Sequence, residues 1–102
     1  MSASRDEHCV YILADRTGGN LTIALTGNLS DRITQYRHRA RTGFGRRLPA
    51  RRLVYYEFHD TRDAAAQRVA LLKSWDRSWT DKLIEDRNPD WTDLAADVLL
   101  AQ

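Results

Sequence analysis

The chain opens, after a polar stretch, on two runs with strand character. Cys9–Ala14 reads CVYILA, a short apolar run rich in aromatic and β-branched residues. Leu21–Thr26 reads LTIALT, where Leu21, Ile23 and Leu25 alternate with Thr22, Ala24 and Thr26, the period of a strand with one buried face. Between them lies DRTGGN, Asp15–Asn20. Its glycines and asparagine accept positive φ at low cost, so the two strands are expected to form a hairpin.

The pattern then changes to helical spacing. Leu29, Ile33 and Tyr36 fall on one helix face, and Asn28 or Ser30 can cap a helix running to about Ala40. Arg41–Ala50, with Gly43, Gly45 and Pro49, reads as a loop, and Arg52–Phe58 (RLVYYEF) as a third strand. Asp60 or Thr61 is expected to cap a second helix carrying Ala65, Val69 and Leu72 and ending at about Trp75. Ser78 or Thr80 opens a third helix, which stops near Asn88-Pro89 because the residue before proline disfavours helix. Asp90–Leu100 reads as a last short helix. The order predicts an α+β fold: a small three-stranded antiparallel sheet flanked by helices. At 102 residues one domain is expected, spanning 1–102 with its core at about 9–94.

Composition narrows the functional classes. No apolar stretch is long enough for a membrane helix, and MSASRDEH lacks the apolar core of a signal peptide. The single cysteine, Cys9, excludes an intrachain disulfide and reads as a small buried hydrophobe. A cytoplasmic setting is expected. The net charge of +2 hides an asymmetry: residues 1–56 carry ten arginines against four acids, and residues 57–102 carry six bases against ten acids. Arg32–Arg52 holds eight arginines and no acid. The planar guanidinium suits phosphate geometry, so this run, with Arg32, Arg37, Arg39, Arg41, Arg46 and Arg47, is the candidate nucleic-acid surface. The acids Asp86, Asp90, Asp93 and Asp97 read as a solvated face. His8 and His38 have no partner at metal-ligand spacing and read as exposed. Trp75, Trp79 and Trp91 are expected to anchor helix packing.

An ordered set of residues resembles the GIY-YIG nuclease domain, and in particular the small single-domain bacterial branch of that superfamily. Val10-Tyr11-Ile12 stands where the family has GIY, and Thr22-Ile23-Ala24 where it has YIG. Leu25-Thr26-Gly27-Asn28-Leu29 with Asp31-Arg32-Ile33 resembles the helix entry that carries the family's arginine. Gln35-Tyr36-Arg37, Gly43-Phe44, Arg52–Glu57, Arg68 with Leu72-Lys73 and Trp75, Arg77, Trp79, Leu83-Ile84-Glu85 and Asn88-Pro89-Asp90-Trp91 continue the match.

The resemblance implies a phosphodiester-cutting site that uses one divalent metal, Mg²⁺ or Mn²⁺. A tyrosine at position 11 would help activate water, while Arg32 and the second-motif position, here Thr22, would steady the phosphate. Tyr36 and Asn88 are the remaining family positions. Charge that grows on the phosphate calls for a cation or metal opposite it.

The departures are specific. The YIG tyrosine is Thr22 and its glycine Ala24. Tyr36 replaces the branch's histidine, as in other parts of the superfamily. Val69 stands where the branch has its metal-binding glutamate, so no metal ligand is assigned. Asp63 and Asp76 lie six and seven residues away, about two helical turns, and cannot take that place. The expected function is therefore a GIY-YIG-type domain impaired in catalysis that binds DNA or RNA. The alternatives are an active endonuclease with a non-standard metal site and a protein-interaction module.

Overall fold

The protein is described by a computed structural model covering residues 8–41 and 52–100, with the side chains of 36–41 and 100 outside that description. Strand β1 (Cys9–Ala14) forms a hairpin with β2 (Leu21–Thr26); helix α1 (Leu29–Arg41) leads to β3 (Arg52–Phe58), followed by α2 (Arg62–Ser74), α3 (Arg77–Arg87) and α4 (Ala95–Leu100). The sheet order is β2-β1-β3, antiparallel throughout. The α+β architecture expected from the sequence is the one found.

The hairpin turn is closed by Asp15, whose carboxylate accepts the Asn20 backbone N–H at 2.9 Å. Gly18 adopts φ +68°. A side chain at Gly19 would collide with Asp15 and Arg16, so only glycine fits there.

β1 is buried along its whole length because helices cover both faces of the sheet. Cys9, Tyr11 and Leu13 point to one side, where they meet Leu29 and Ile33 of α1 and Ala95 and Val98 of α4. Val10, Ile12 and Ala14 point to the other. There Ile12 and Ala14 meet Ile84 and Trp91, and Val10 meets Ala65 and Leu72 of α2. A strand buried on both faces cannot alternate in polarity, which explains the continuous apolar run.

The β1–β3 pairing slips between Ile12 and Leu13: Ile12 pairs with Tyr55, whereas Leu13 pairs with Leu53. Val54 is thus the extra residue of a bulge. Leu53 joins the α1/α4 layer, while Val54 and Tyr55 both join the layer of α3.

Three local expectations need correction. Helix α3 starts at Arg77, with Asp76 at the N-cap position, rather than at Ser78 or Thr80; Thr80 is a buried residue inside the helix. Helix α4 starts at Ala95, not Asp90. Asn88 folds the intervening segment back on itself, and Trp91 takes φ +55°, which a helix cannot accommodate. Trp91 is buried and Trp75 half-buried, but Trp79 is 60% exposed and only meets Trp75 edge-on. Elsewhere the caps follow the sequence: Asn28 Oδ1 accepts the Asp31 N–H at 3.0 Å, and Thr61 Oγ1 accepts that of Ala64 at 3.1 Å.

Candidate functional site

The α1 side of the sheet brings Tyr11 and Arg32 together. Tyr11 is fixed in mid-strand, 2% exposed, with Ala24 and Tyr56 as its cross-strand partners. Arg32 lies in the first turns of α1, one residue before Ile33, which is buried against the same face. Its Nε donates to the Tyr11 hydroxyl at 3.0 Å, and its Nη1 to Gln35 Oε1 at 3.3 Å. The phenol therefore keeps a polar partner in the middle of an otherwise apolar strand.

Thr22 pairs with Leu13, one step along the hairpin, and belongs to the face that carries Tyr11. Ala24, not Thr22, stands directly opposite Tyr11. Tyr36, Arg37, Arg39 and Arg41 have their backbone in α1, with side chains outside the described set; Arg46 and Arg47 lie outside the described residues altogether. Arg52, from the same basic run, serves the fold: its Nη1 donates to Thr17 Oγ1 and to the Trp91 carbonyl.

Asn88 is not beside this pair. It caps α3, 5% exposed, and its Nδ2 donates to the carbonyls of Val54 at 3.1 Å and Thr92 at 2.9 Å. Its Oδ1 accepts from both the backbone and the hydroxyl of Thr92. Every polar atom of its side chain is engaged in holding the turn after α3 against β3. Asp93, read from sequence as one of the solvated acids, accepts the N–H groups of Leu53 and Ala95.

A second cluster occupies the opposite face, and sequence reasoning missed it. The Tyr55 hydroxyl donates to Glu57 Oε1 at 2.6 Å, His59 Nε2 lies 2.5 Å from Glu57 Oε2, and Arg68 Nε donates to the same oxygen at 3.0 Å. Burial opposes ionisation of Glu57, yet the hydrogen bonds from Tyr55, His59 and Arg68, with the Arg68 charge, hold its carboxyl below the usual range. The Tyr55 phenol is pushed up, by burial first and then by Glu57. For Arg68 burial again works against the charge, and Glu57 outweighs it and raises the guanidinium. The signal was present in the sequence: Tyr55, Glu57 and His59 recur at period two. His8, read as exposed, is half-buried beside it, its carbonyl accepting the His59 N–H.

The model of the family described as the GIY-YIG catalytic domain matches residues 7–83. The chain belongs to the GIY-YIG family. Among solved structures, the solution NMR structure of the UPF0213 protein BH0048 from Bacillus halodurans is similar to it, with 22% sequence identity and a TM-score of 0.50, covering 76% of this chain and 82% of that one. At that identity the likeness concerns the fold. No curated protein matches the chain.

Membership of the GIY-YIG family makes this a nuclease-family domain, which turns attention to the metal. Mg²⁺ prefers carboxylate oxygens. Val69 offers none; it packs against Val10, Ala65 and Leu72, in the layer across the sheet from Tyr11. The carboxylate bound to its neighbour Arg68 is Glu57, already shared among three donors. Among the described residues no group of three or more His, Cys, Asp or Glu is placed to hold a metal ion. The described residues do not fit the metal that the GIY-YIG chemistry implies. No helix among the described residues is long and apolar enough to cross a membrane.

Proposed function

We propose that this GIY-YIG domain binds nucleic acid, DNA in the first instance, through its arginine-rich surface and is impaired as a nuclease. One observation carries the impairment: Val69 stands where the resemblance calls for a metal-binding glutamate, and it is part of an apolar cluster. A position released from metal binding gains stability by burying a methyl-bearing side chain. Support for nucleic acid comes from the family together with the acid-free run from Arg32 to Arg52.

In this reading Arg32 remains the residue that meets a phosphate. Only two of its five N–H donors are used within the described residues, so the fork can still pair with phosphate oxygens. Arg37, Arg39, Arg41, Arg46 and Arg47, all in the same basic run of the sequence, supply further charge. Tyr11 orients Arg32, Thr22 borders the site, Tyr36 is a site residue by its family position, and Asn88 serves the fold. The setting is cytoplasmic, and the domain spans 1–102.

A second reading, an active endonuclease using Mg²⁺ or Mn²⁺ held by other groups, is favoured by the retained Tyr11–Arg32 contact. One experiment separates the two. Labelled duplex, single-stranded, flap and branched DNA are incubated with the protein and Mg²⁺ or Mn²⁺, and gel shift and cleavage are read from the same samples. A shift without cleavage, weakened and less salt-dependent in Arg46→Ala/Arg47→Ala, is expected. Metal-dependent cleavage lost in Tyr11→Phe and Arg32→Ala would establish the enzyme instead. Absence of both signals would overturn nucleic-acid binding and direct attention to a protein partner.

A further inference from the structure

A cleft of about 300 Å³ opens between the outer strand β2, the end of α2 and the start of α3. It is lined by Leu21, Ile23, Leu72, Lys73, Trp75, Arg77 and Thr80. Its walls are of three chemical kinds. Leu21, Ile23, Leu72 and the Trp75 ring are apolar. Lys73 and Arg77 are cationic, and no acidic residue lines the cleft. Thr80 is 3% exposed, and its hydroxyl makes no hydrogen bond among the described residues. A hydroxyl buried in that way is costly and uncommon.

Two of the walls are held rigidly. The Arg77 guanidinium is clamped by Asp81 and by the Gly19 carbonyl, each at 2.6 Å, which ties α3 to the hairpin turn. Trp75 is held between the Arg68 guanidinium, 5.3 Å from its ring centre, and the edge of Trp79. Lys73 is different: it is exposed and pairs with no carboxylate among the described residues. A preorganised apolar slot with one uncommitted cation and one unanswered hydroxyl is a ligand site by its chemistry.

We infer that this cleft binds a nucleotide, with the base between Trp75 and the aliphatic wall, a ring-edge nitrogen or oxygen on the Thr80 hydroxyl, and the phosphate facing Lys73. A purely aliphatic anion would leave Thr80 unanswered, and inorganic phosphate would leave the apolar walls unused. The nucleotide has two sources, a free mononucleotide or the phosphorylated end of a strand. The second deepens the proposed nucleic-acid binding and rests on it; the first does not.

Isothermal titration with AMP and UMP, and with adenosine and inorganic phosphate as partial ligands, tests the site. The mononucleotides should bind in the range of about 10 μM to 1 mM, and each partial ligand at least roughly tenfold more weakly. Thr80→Val, nearly isosteric, should weaken mononucleotide binding about tenfold. Lys73→Gln should weaken it similarly and reduce its salt dependence. A 5′-phosphorylated tetranucleotide that displaces AMP, where its 5′-hydroxyl form does not, assigns the cleft to strand ends; AMP binding without such displacement assigns it to free nucleotide. Failure of the mononucleotides and of the phosphorylated tetranucleotide to bind, or equal binding by both variants and the parent, overturns the inference. Should circular dichroism show Thr80→Val unfolded, the exposed Lys73→Gln carries the test. Duplex gel shifts run on the same preparations keep the outcomes apart. A retained shift with an empty titration refutes only the cleft, while nucleotide binding without a shift refutes only the arginine surface.

Discussion

Arg32 of α1 donates its Nε to the hydroxyl of Tyr11 in the central strand, 3.0 Å away and 21 positions back in the chain. The contact ties the helix in which the basic run begins to a strand buried on both faces. It also gives Tyr11 its polar partner. Tyr11 and Arg32 belong to the family's reaction site by resemblance, and they are a structural pair in this chain whatever their chemistry.

This coupling is measurable. Arg32→Ala leaves a buried phenol without its donor and should cost about 1–3 kcal/mol in urea unfolding. In a Tyr11→Phe background the same change should cost less, because the stranded hydroxyl is gone. Additive losses in the double-mutant cycle would show that the bond contributes nothing to stability.

Glu57 predicts a pH response. Its carboxyl is held below the usual value of 4.5, so its contribution is present above that pH and lost as pH falls through the lower folded-state value. Tyr55 is raised above 10.0, so its contribution is complete below that pH and disappears as pH rises through the folded value. Glu57→Gln should cost about 1–3 kcal/mol at pH 7 and flatten the acid limb of the urea midpoint below pH 4.5. An unchanged acid limb would show that other carboxylates govern it.

Asn88→Ala should lower stability by roughly 2–4 kcal/mol, since it strands the Val54 carbonyl and undoes the bonds to Thr92. Asn88→Asp should also destabilise, because a carboxylate would replace the amide donor facing two carbonyl oxygens. Thermal unfolding checks both. Full stability with altered nucleic-acid handling would return Asn88 to a functional role.

Val69→Glu places a carboxylate against Val10, Ala65 and Leu72 and should lower the unfolding free energy by about 1–3 kcal/mol. Millimolar Mg²⁺ should not restore it, as no cluster of metal ligands is found among the described residues. Recovery with Mg²⁺, reversed by chelation, would reveal a metal site that reassembles.

The tryptophans separate on burial. Trp91→Ala should cost about 3–5 kcal/mol, whereas Trp79→Ser, at a residue 60% exposed, should cost about 1 kcal/mol or less. Comparable losses in the two would mean that Trp79 is covered in solution.

The sequence alone determined what local chemistry controls. The apolar run of β1, the alternation of β2, the glycines between them, and the caps at Asn28 and Thr61 specify elements through nearest neighbours, and the ordered motifs specify the family. Position 69 was legible too, because the side chain itself cannot bind a metal. The tertiary structure decided everything that depends on register and on folding back. A one-residue bulge at Val54 separates Leu53 from Tyr55 across the sheet and carries Glu57 and His59 to the face where Arg68 waits. Strand alternation counted from Leu53 would put all of them on one side. Asn88, Thr92 and a Trp91 with positive φ delay α4 to Ala95, through hydrogen bonds that reach 34 residues back to Val54. Thr80, which reads as a cap because its hydroxyl suits one, is buried instead because Asp76 takes the N-cap position. Bulges and long-range hydrogen bonds join residues far apart in the chain, so no window of local sequence contains them.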